Sequence, residues 1–150
     1  HYYELVDTPM TWADADAAAQ SMTYLGFTGH LITVTDEDEH NWFRGFLASE
    51  SPNNHVHMGG FQDPGGSEPG GGWQWVTGEP MTYTKWYPGE PNQYLGNNED
   101  HMFGFRGNES YRGEWADGLG SNNFWFVVEY DYTPPVPLET VSWGLIKTRP

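Results

Sequence analysis

Trp86-Tyr87-Pro88-Gly89-Glu90-Pro91-Asn92 is the stretch on which the fold of this chain turns. Two prolines and a glycine in seven residues rule out helix and central strand, because Pro donates no backbone hydrogen bond and Gly weakens regular elements. The stretch lies inside residues 78–100, where Pro, Gly and Asn recur and no apolar period of 2 or 3.6 survives. A connection of this length within a compact domain is usually functional, and the embedded rings of Trp86 and Tyr87 predict that it is ordered. Glu90 and Asn92, on either side of Pro91, offer oxygen ligands of the kind hard cations take.

Strand signals lie on both sides of this loop. Upstream, Val56–Phe61 reads as a strand interrupted by Gly59-Gly60, residues 63–72 as a Gly/Pro/Ser/acid loop, and Trp73–Val76 as a short strand. Downstream, strands are expected at His101–Phe105, near Tyr111–Trp115, and at Phe124–Tyr130. The continuous apolar run Phe124-Trp125-Phe126-Val127-Val128 suits a central strand. Helical periodicity is confined to the first third of the chain. After a first strand at residues 1–6, Thr11 caps a helix with Asp14 three residues on, and Trp12, Ala15, Ala19 and Met22 share one face. Gly26 and Gly29 close that segment, and His30–Val34 reads as a short strand. Thr35 then caps a second helix whose first turn holds the acids Asp36 to Glu39, read here as partners of the helix dipole rather than of a metal. Trp42, Phe43, Phe46 and Leu47 form its buried stripe, and Pro52-Asn53-Asn54 ends it. One strand, two helices, then many short strands around a long loop is an α+β order with segregated helices.

Composition limits the function. The 150 residues carry 21 acids against 6 bases, a formal charge of −15 that disfavours nucleic acid and anionic membranes as partners and favours metal cations. Most of these acids are read as a solubilising surface. With no cysteine, thiol catalysis, zinc–thiolate sites and disulfides are excluded. No apolar run is long enough to span a membrane, and no signal peptide is visible at the start. No nucleophile elbow, phosphate loop or zinc-protease motif is present. A glycosidase carboxylate pair is the enzymatic option that so many acids leave open. His55 and His57 alternate as on one strand face and are read as a surface pair, His30 as structural, and Asn108-Glu109-Ser110 fits a glycosylation sequon.

These markers, taken in order, resemble the C-type lectin domain along residues 1–131. Trp12-Ala13-Asp14-Ala15 opens the first helix, Gly29-His30-Leu31 enters the second strand, and Glu39 through Phe43 lies in the second helix. His57-Met58-Gly59-Gly60 stands where the family has a Trp-Ile-Gly-Leu-like strand. Trp86 through Glu90-Pro91-Asn92 matches the long-loop motif, Trp115-Ala116-Asp117 the Trp-Asn-Asp motif, and Val128-Glu129 the last strand. The resemblance implies an α+β fold with two helices flanking small antiparallel sheets and a long calcium-binding loop. It places Ala19 and Val128 at the family's disulfide positions, filled here by packing, and His101 at another. Bacterial members of the family often lack these bridges, so the resemblance is to a cysteine-free member of bacterial type.

The resemblance also implies a site. Glu90, Asn92, Glu99 and Asp117 would ligate calcium and hydrogen-bond two vicinal sugar hydroxyls, with Pro91 in the cis form that turns both neighbours toward one ion. The Glu-Pro-Asn order is that of mannose, glucose and fucose binders. Tyr94 falls where a side chain lies against the sugar ring, a place equally suited to a loop anchor. Asp63, Glu68 and Asp100, with Glu99, form an auxiliary calcium set or simply an acidic, Gly-rich loop. Ala116 replaces the family's Asn and removes one ligand and one donor. Trp86 and Trp115 are assigned to the core beneath the loop. The expected function is therefore an extracellular or cell-surface, calcium-dependent carbohydrate-binding domain without catalysis, its partner a glycan or polysaccharide. The rival reading is an adhesive lectin-fold module. There, residues 132–137 form a Pro-rich linker, and residues 138–150 form a strand-forming tail that packs on its own domain or on a neighbour to build a homo-oligomer or filament.

Overall fold

The computed structural model describes residues 1–50, 52–106, 110–132 and the backbone of 144–145. The chain runs β1 (Tyr2–Met10), α1 (Trp12–Ser21), β2 (Thr23–Tyr24), β3 (Phe27–Leu31), α2 (Glu37–Glu50), β4 (Val56–Gln62), β5 (Trp73–Trp75), β6 (His101–Gly104), β7 (Trp115–Gly118), β8 (Phe124–Tyr130) and β9 (Gly144–Leu145). The strands order as β2-β3-β8-β4-β6-β7, with β1 on β8 and β5 on β4. The sheet is mixed rather than purely antiparallel as expected, because Val56 and His57 pair in parallel with Trp125 and Phe126. β8 is central, contacting β1, β3 and β4, as its unbroken apolar run requires.

Both helices form where the periodicity places them. Thr11 caps α1, its hydroxyl accepting from Asp14 N, and Trp12, Ala15 and Ala19 are buried. At α2 the cap is Asp36 rather than Thr35: Asp36 Oδ1 accepts from Glu39 N at 2.9 Å. Glu39 reaches back to accept from Thr35 N at 2.7 Å, so the expected capping chemistry is shifted by one residue. The second strand ends at Leu31, and Ile32 to Val34 are buried extended chain. The segment expected to be a strand from Tyr111 turns until Trp115, with Gly113 at φ +75°.

Two apolar clusters make the core. One, under α2 and the long loop, includes Tyr3, Phe43, Leu47, Met58, Trp75, Met102 and Trp115. The other, under α1, includes Trp12, Ala15, Ala19, Leu31, Phe126 and Val128. Ala19 and Val128, at the positions where the family's disulfide falls, are both fully buried here. A Cβ on Gly29 would stand 2.5 Å from Val128 Cγ1 and 2.9 Å from Ala19 O, so close packing of backbone on side chain fills that space. His55 and His57 do not form a surface pair. His57 is 2% exposed. Its Nε2 lies 3.0 Å from Met10 O and 3.2 Å from Asn122 O, and burial pulls it down to about 4. His55 packs among Phe103, Phe105 and Phe124. His30 is structural as expected, with Nε2 3.2 Å from Asp131.

The linker at 132–137 lies outside the described residues apart from Tyr132. Of the tail, only Gly144–Leu145 is described, pairing in parallel with Tyr2 and Tyr3. Asn108 and Glu109 of the sequon also lie outside. Among the described residues no helix is long and apolar enough to cross a membrane.

Candidate carbohydrate and calcium site

The long loop is ordered by its rings. Trp86 bridges to Trp115, whose N–H donates to Lys85 O at 2.9 Å and whose carbonyl accepts from Tyr87 N at 2.8 Å. Trp115 is fully buried and meets Trp75, Tyr83 and Trp86 edge to face at 5.5–5.9 Å, which fixes the base of the loop against β7. Asp117, two residues further along β7, is thereby held 5% exposed beneath the turn after Pro91. The Glu90–Pro91 bond is cis, as is Glu68–Pro69.

At the tip, the carboxylates face backbone donors and one another. Asp117 accepts from Asn92 N at 3.0 Å and from Gln93 N at 2.9 Å, and Glu99 accepts from Tyr94 N. Burial, a hydrogen bond to the Asp117 carboxyl and repulsion from Asp117 and Glu99 push Glu90 up to about 8. Glu99 is raised as well, by burial first and by Asp117. Glu90, Glu99 and Asp117 thus lie near one another, while Asn92 stands exposed. Ala116 is buried in β7 opposite Phe103, so no side-chain oxygen comes from that position. Tyr94 is 64% exposed and Leu95 82%, in a 3-10 turn (Tyr94–Gly96) whose Gln93 and Leu95 both have positive φ. Tyr94 is therefore displayed, not used as an anchor.

The auxiliary set is spent on local bonds. Asp63 accepts from Gly65 N at 2.9 Å and Gln74 Nε2 at 3.3 Å, tying down the Gly-rich loop. Asp100 pairs with His101 at 2.7 Å and accepts from Asn98 at 2.8 Å. Glu68 lies exposed in the same Gly-rich loop.

A second gathering of acids was not legible as a site. Among the described residues, the group of three His, Asp or Glu side chains whose ligand atoms all lie within 4.8 Å of one another is His1, Glu39 and Glu129. Glu129 is fully buried and Glu39 is 4% exposed. Tyr3 Oη donates to each at 3.2 Å, Thr33 N donates to Glu129 at 3.0 Å, and His1 Nδ1 bonds Glu129. The Glu129 bond raises His1 to about 9, against the opposing effect of burial, while burial and then Glu129 raise Glu39. One signal was available: an acid inside an apolar central strand must find buried partners.

No family model matches the chain. Bovine lithostathine is 31% identical over 88 residues, 57% of this chain and 48% of that protein, so the match spans about half of that relative's length. Mouse lithostathine-1 is 25% identical over 128 residues, 85% of this chain and 71% of that protein. Among solved structures, the C-type lectin CEL-I from Cucumaria echinata superposes with a TM-score of 0.70 at 21% identity, covering 87% of this chain and 90% of its own. A calcium-independent type II antifreeze protein superposes at 0.63 and 21% identity, covering 84% and 82%. The chain has the C-type-lectin-like fold.

Proposed function

We propose that the chain is an extracellular, calcium-dependent carbohydrate-binding domain of the mannose, glucose and fucose type, with no catalytic role. The observation that carries this reading is the carboxylate set Glu90, Glu99 and Asp117. It is drawn together at the loop tip, where Glu90 is forced up to about 8 by burial and by its neighbours. The bonds Asp117 and Glu99 accept from Asn92, Gln93 and Tyr94 are from neutral backbone N–H groups. Such a set is short of positive charge, and its oxygen donors suit a hard divalent ion. Glu90, Asn92, Glu99 and Asp117 would hold calcium, which when bound offers open positions to two vicinal hydroxyls. Tyr94 would lie against the sugar ring. Asp63, Glu68 and Asp100 are the auxiliary ligands, and a second ion there must displace Gly65 and Gln74 from Asp63 and His101 from Asp100.

The fold alone does not decide the matter, since the neighbours include one described as a C-type lectin and one described as calcium-independent. Thermal melts in EDTA, calcium and magnesium test the reading. Calcium at a hundredfold its dissociation constant adds about 2.7 kcal/mol. For a domain of this size that is a rise on the order of 5–10 °C, absent with magnesium. Retention on immobilised mannose, released by EDTA, then tests the sugar. No calcium-specific rise, together with no calcium in a metal assay of the purified protein, overturns the proposal.

A further inference from the structure

We propose that Leu95 is a specificity residue of the loop-tip site, selecting a sugar that carries a short alkyl or acyl chain on one of its oxygens. The inference rests on the carbohydrate reading above and narrows its substrate class. Among the described residues, the large apolar side chains left exposed are Leu25, Tyr94 and Leu95, with Leu95 the most exposed at 82%. Two of the three are consecutive, and both belong to the turn that follows Glu90-Pro91-Asn92. Elsewhere the fold covers such groups closely: Tyr3, Leu31, Leu47 and Trp115 are fully buried.

Displaying Leu95 is unfavourable in two ways. The side chain forgoes the burial that a leucine ordinarily gains. The backbone stands at φ +58° and ψ 22°, the left-handed region in which a Cβ crowds the following carbonyl oxygen. Gly and Asn adopt that region readily, yet Gly96 and Asn97 come only after it. Leu25 also has a positive φ, +51°, but there the cause is local. Leu25 and Gly26 are the two-residue turn between Tyr24 and Phe27, and such β-hairpin turns want positive φ at both positions. Leu95 lies in a 3-10 turn, which makes no such demand.

The strained turn is nonetheless firmly tied, and tied to the site. Gly96 N donates to Gln93 O at 2.9 Å, and Asn97 Nδ2 donates to Tyr94 O at 2.8 Å. Gln93 N donates to Asp117 at 2.9 Å, and Tyr94 N donates to Glu99. Leu95 is therefore held in place by the same carboxylates that would ligate the ion. Strain that surrounding bonds maintain beside a ligand site points to a role for the residue that bears it. A leucine side chain offers neither charge nor hydrogen bond, so it discriminates only by covering carbon. A bare hexose presents hydroxyls around its rim, whereas an alkyl or acyl chain presents methylenes. Covering about two of them favours the substituted sugar by roughly tenfold.

The test compares methyl α-mannoside with its mono-O-butyl and mono-O-butanoyl derivatives by calorimetry in calcium, on the full chain and on Leu95→Asn. Asn accepts the left-handed backbone, so this variant keeps the turn. At least one derivative should bind roughly tenfold more tightly than methyl α-mannoside. Leu95→Asn should remove that preference and bind methyl α-mannoside as before. Equal affinity for all the sugars, or a preference that Leu95→Asn retains, overturns the assignment and leaves the carbohydrate reading standing. Weaker binding of methyl α-mannoside itself by Leu95→Asn also overturns it, since Leu95 would then be a support of the turn. If none of these sugars binds in calcium, the carbohydrate reading fails, and this inference with it.

Discussion

The molecule gathers acids twice, and the two gatherings are solved differently. At the meeting of β1, α2 and β8, Glu39 and Glu129 are buried with donors supplied from within: the Tyr3 hydroxyl, the Thr33 and Thr35 N–H groups, and the His1 ring. Protonated His1 is the positive charge the pair needs, and Glu129 in turn holds the imidazole up to about 9. At the loop tip, Glu90, Glu99 and Asp117 have backbone N–H groups and each other, and the strain appears as a Glu90 raised to about 8. The first cluster is complete in itself, whereas the second is left wanting charge.

The largest test of that contrast is Glu129→Ala. It leaves the Thr33 N–H without its buried acceptor and Tyr3 with Glu39 alone, and a loss of about 3 kcal/mol or more is expected in urea unfolding. The calcium-specific rise in melting temperature should survive. Glu90→Gln is the mirror image: at neutral pH in EDTA it should be at least as stable as the parent, because it removes a carboxyl whose ionisation the fold opposes, and the calcium rise, about 2.7 kcal/mol at hundredfold saturation, should be abolished. Equal destabilisation by the two changes would erase the distinction.

pH sharpens it further. The folded state raises His1 from 6.5 to about 9, so its contribution is whole below 6.5 and fades as pH climbs through 9. Glu90, raised from 4.5 to about 8, holds a proton in the folded state that the unfolded chain has released, so without calcium stability also falls across that window. His40 and His57, both held near 4 by burial, act oppositely: their contribution is present above 6.5 and lost as pH falls through 4. Differences between variants therefore isolate each group. Glu90→Gln should flatten the EDTA profile between about 4.5 and 8, and His1→Ala that between about 6.5 and 9. Least in stability is Tyr94→Ala, with unfolding unchanged within about 0.5 kcal/mol because the ring is displayed, but with weaker glycan retention on the column.

The two regions also differ in how far they could be read beforehand. The candidate residues of the loop lie in one segment plus Asp117, and their spacing around Pro91 carries the signal locally. His1, Tyr3, Glu39 and Glu129 have ordinary local roles: a strand start, a helix first turn, a strand end. Only the antiparallel pairing of β1 with β8, more than a hundred residues apart in sequence, and the contact of Glu39 on α2 with Tyr3 bring them together. The same cause misplaced His57. Alternation predicts a solvent face, but β4 is covered on both sides, with Val56 to Gly60 all buried. The helices, the central strand and the ordered loop were legible because 3.6-residue periodicity, unbroken apolarity and ring-studded Pro/Gly segments are properties of short windows.

That β1–β8 pairing has one more consequence. Tyr2 and Tyr130 are opposite one another, so the start of β1 and the end of β8 lie side by side, roughly 5 Å apart. The pairing thus works as a clasp that closes the intervening chain into one long loop at its base, and the closure entropy of that loop is offset by the strand contacts across the clasp.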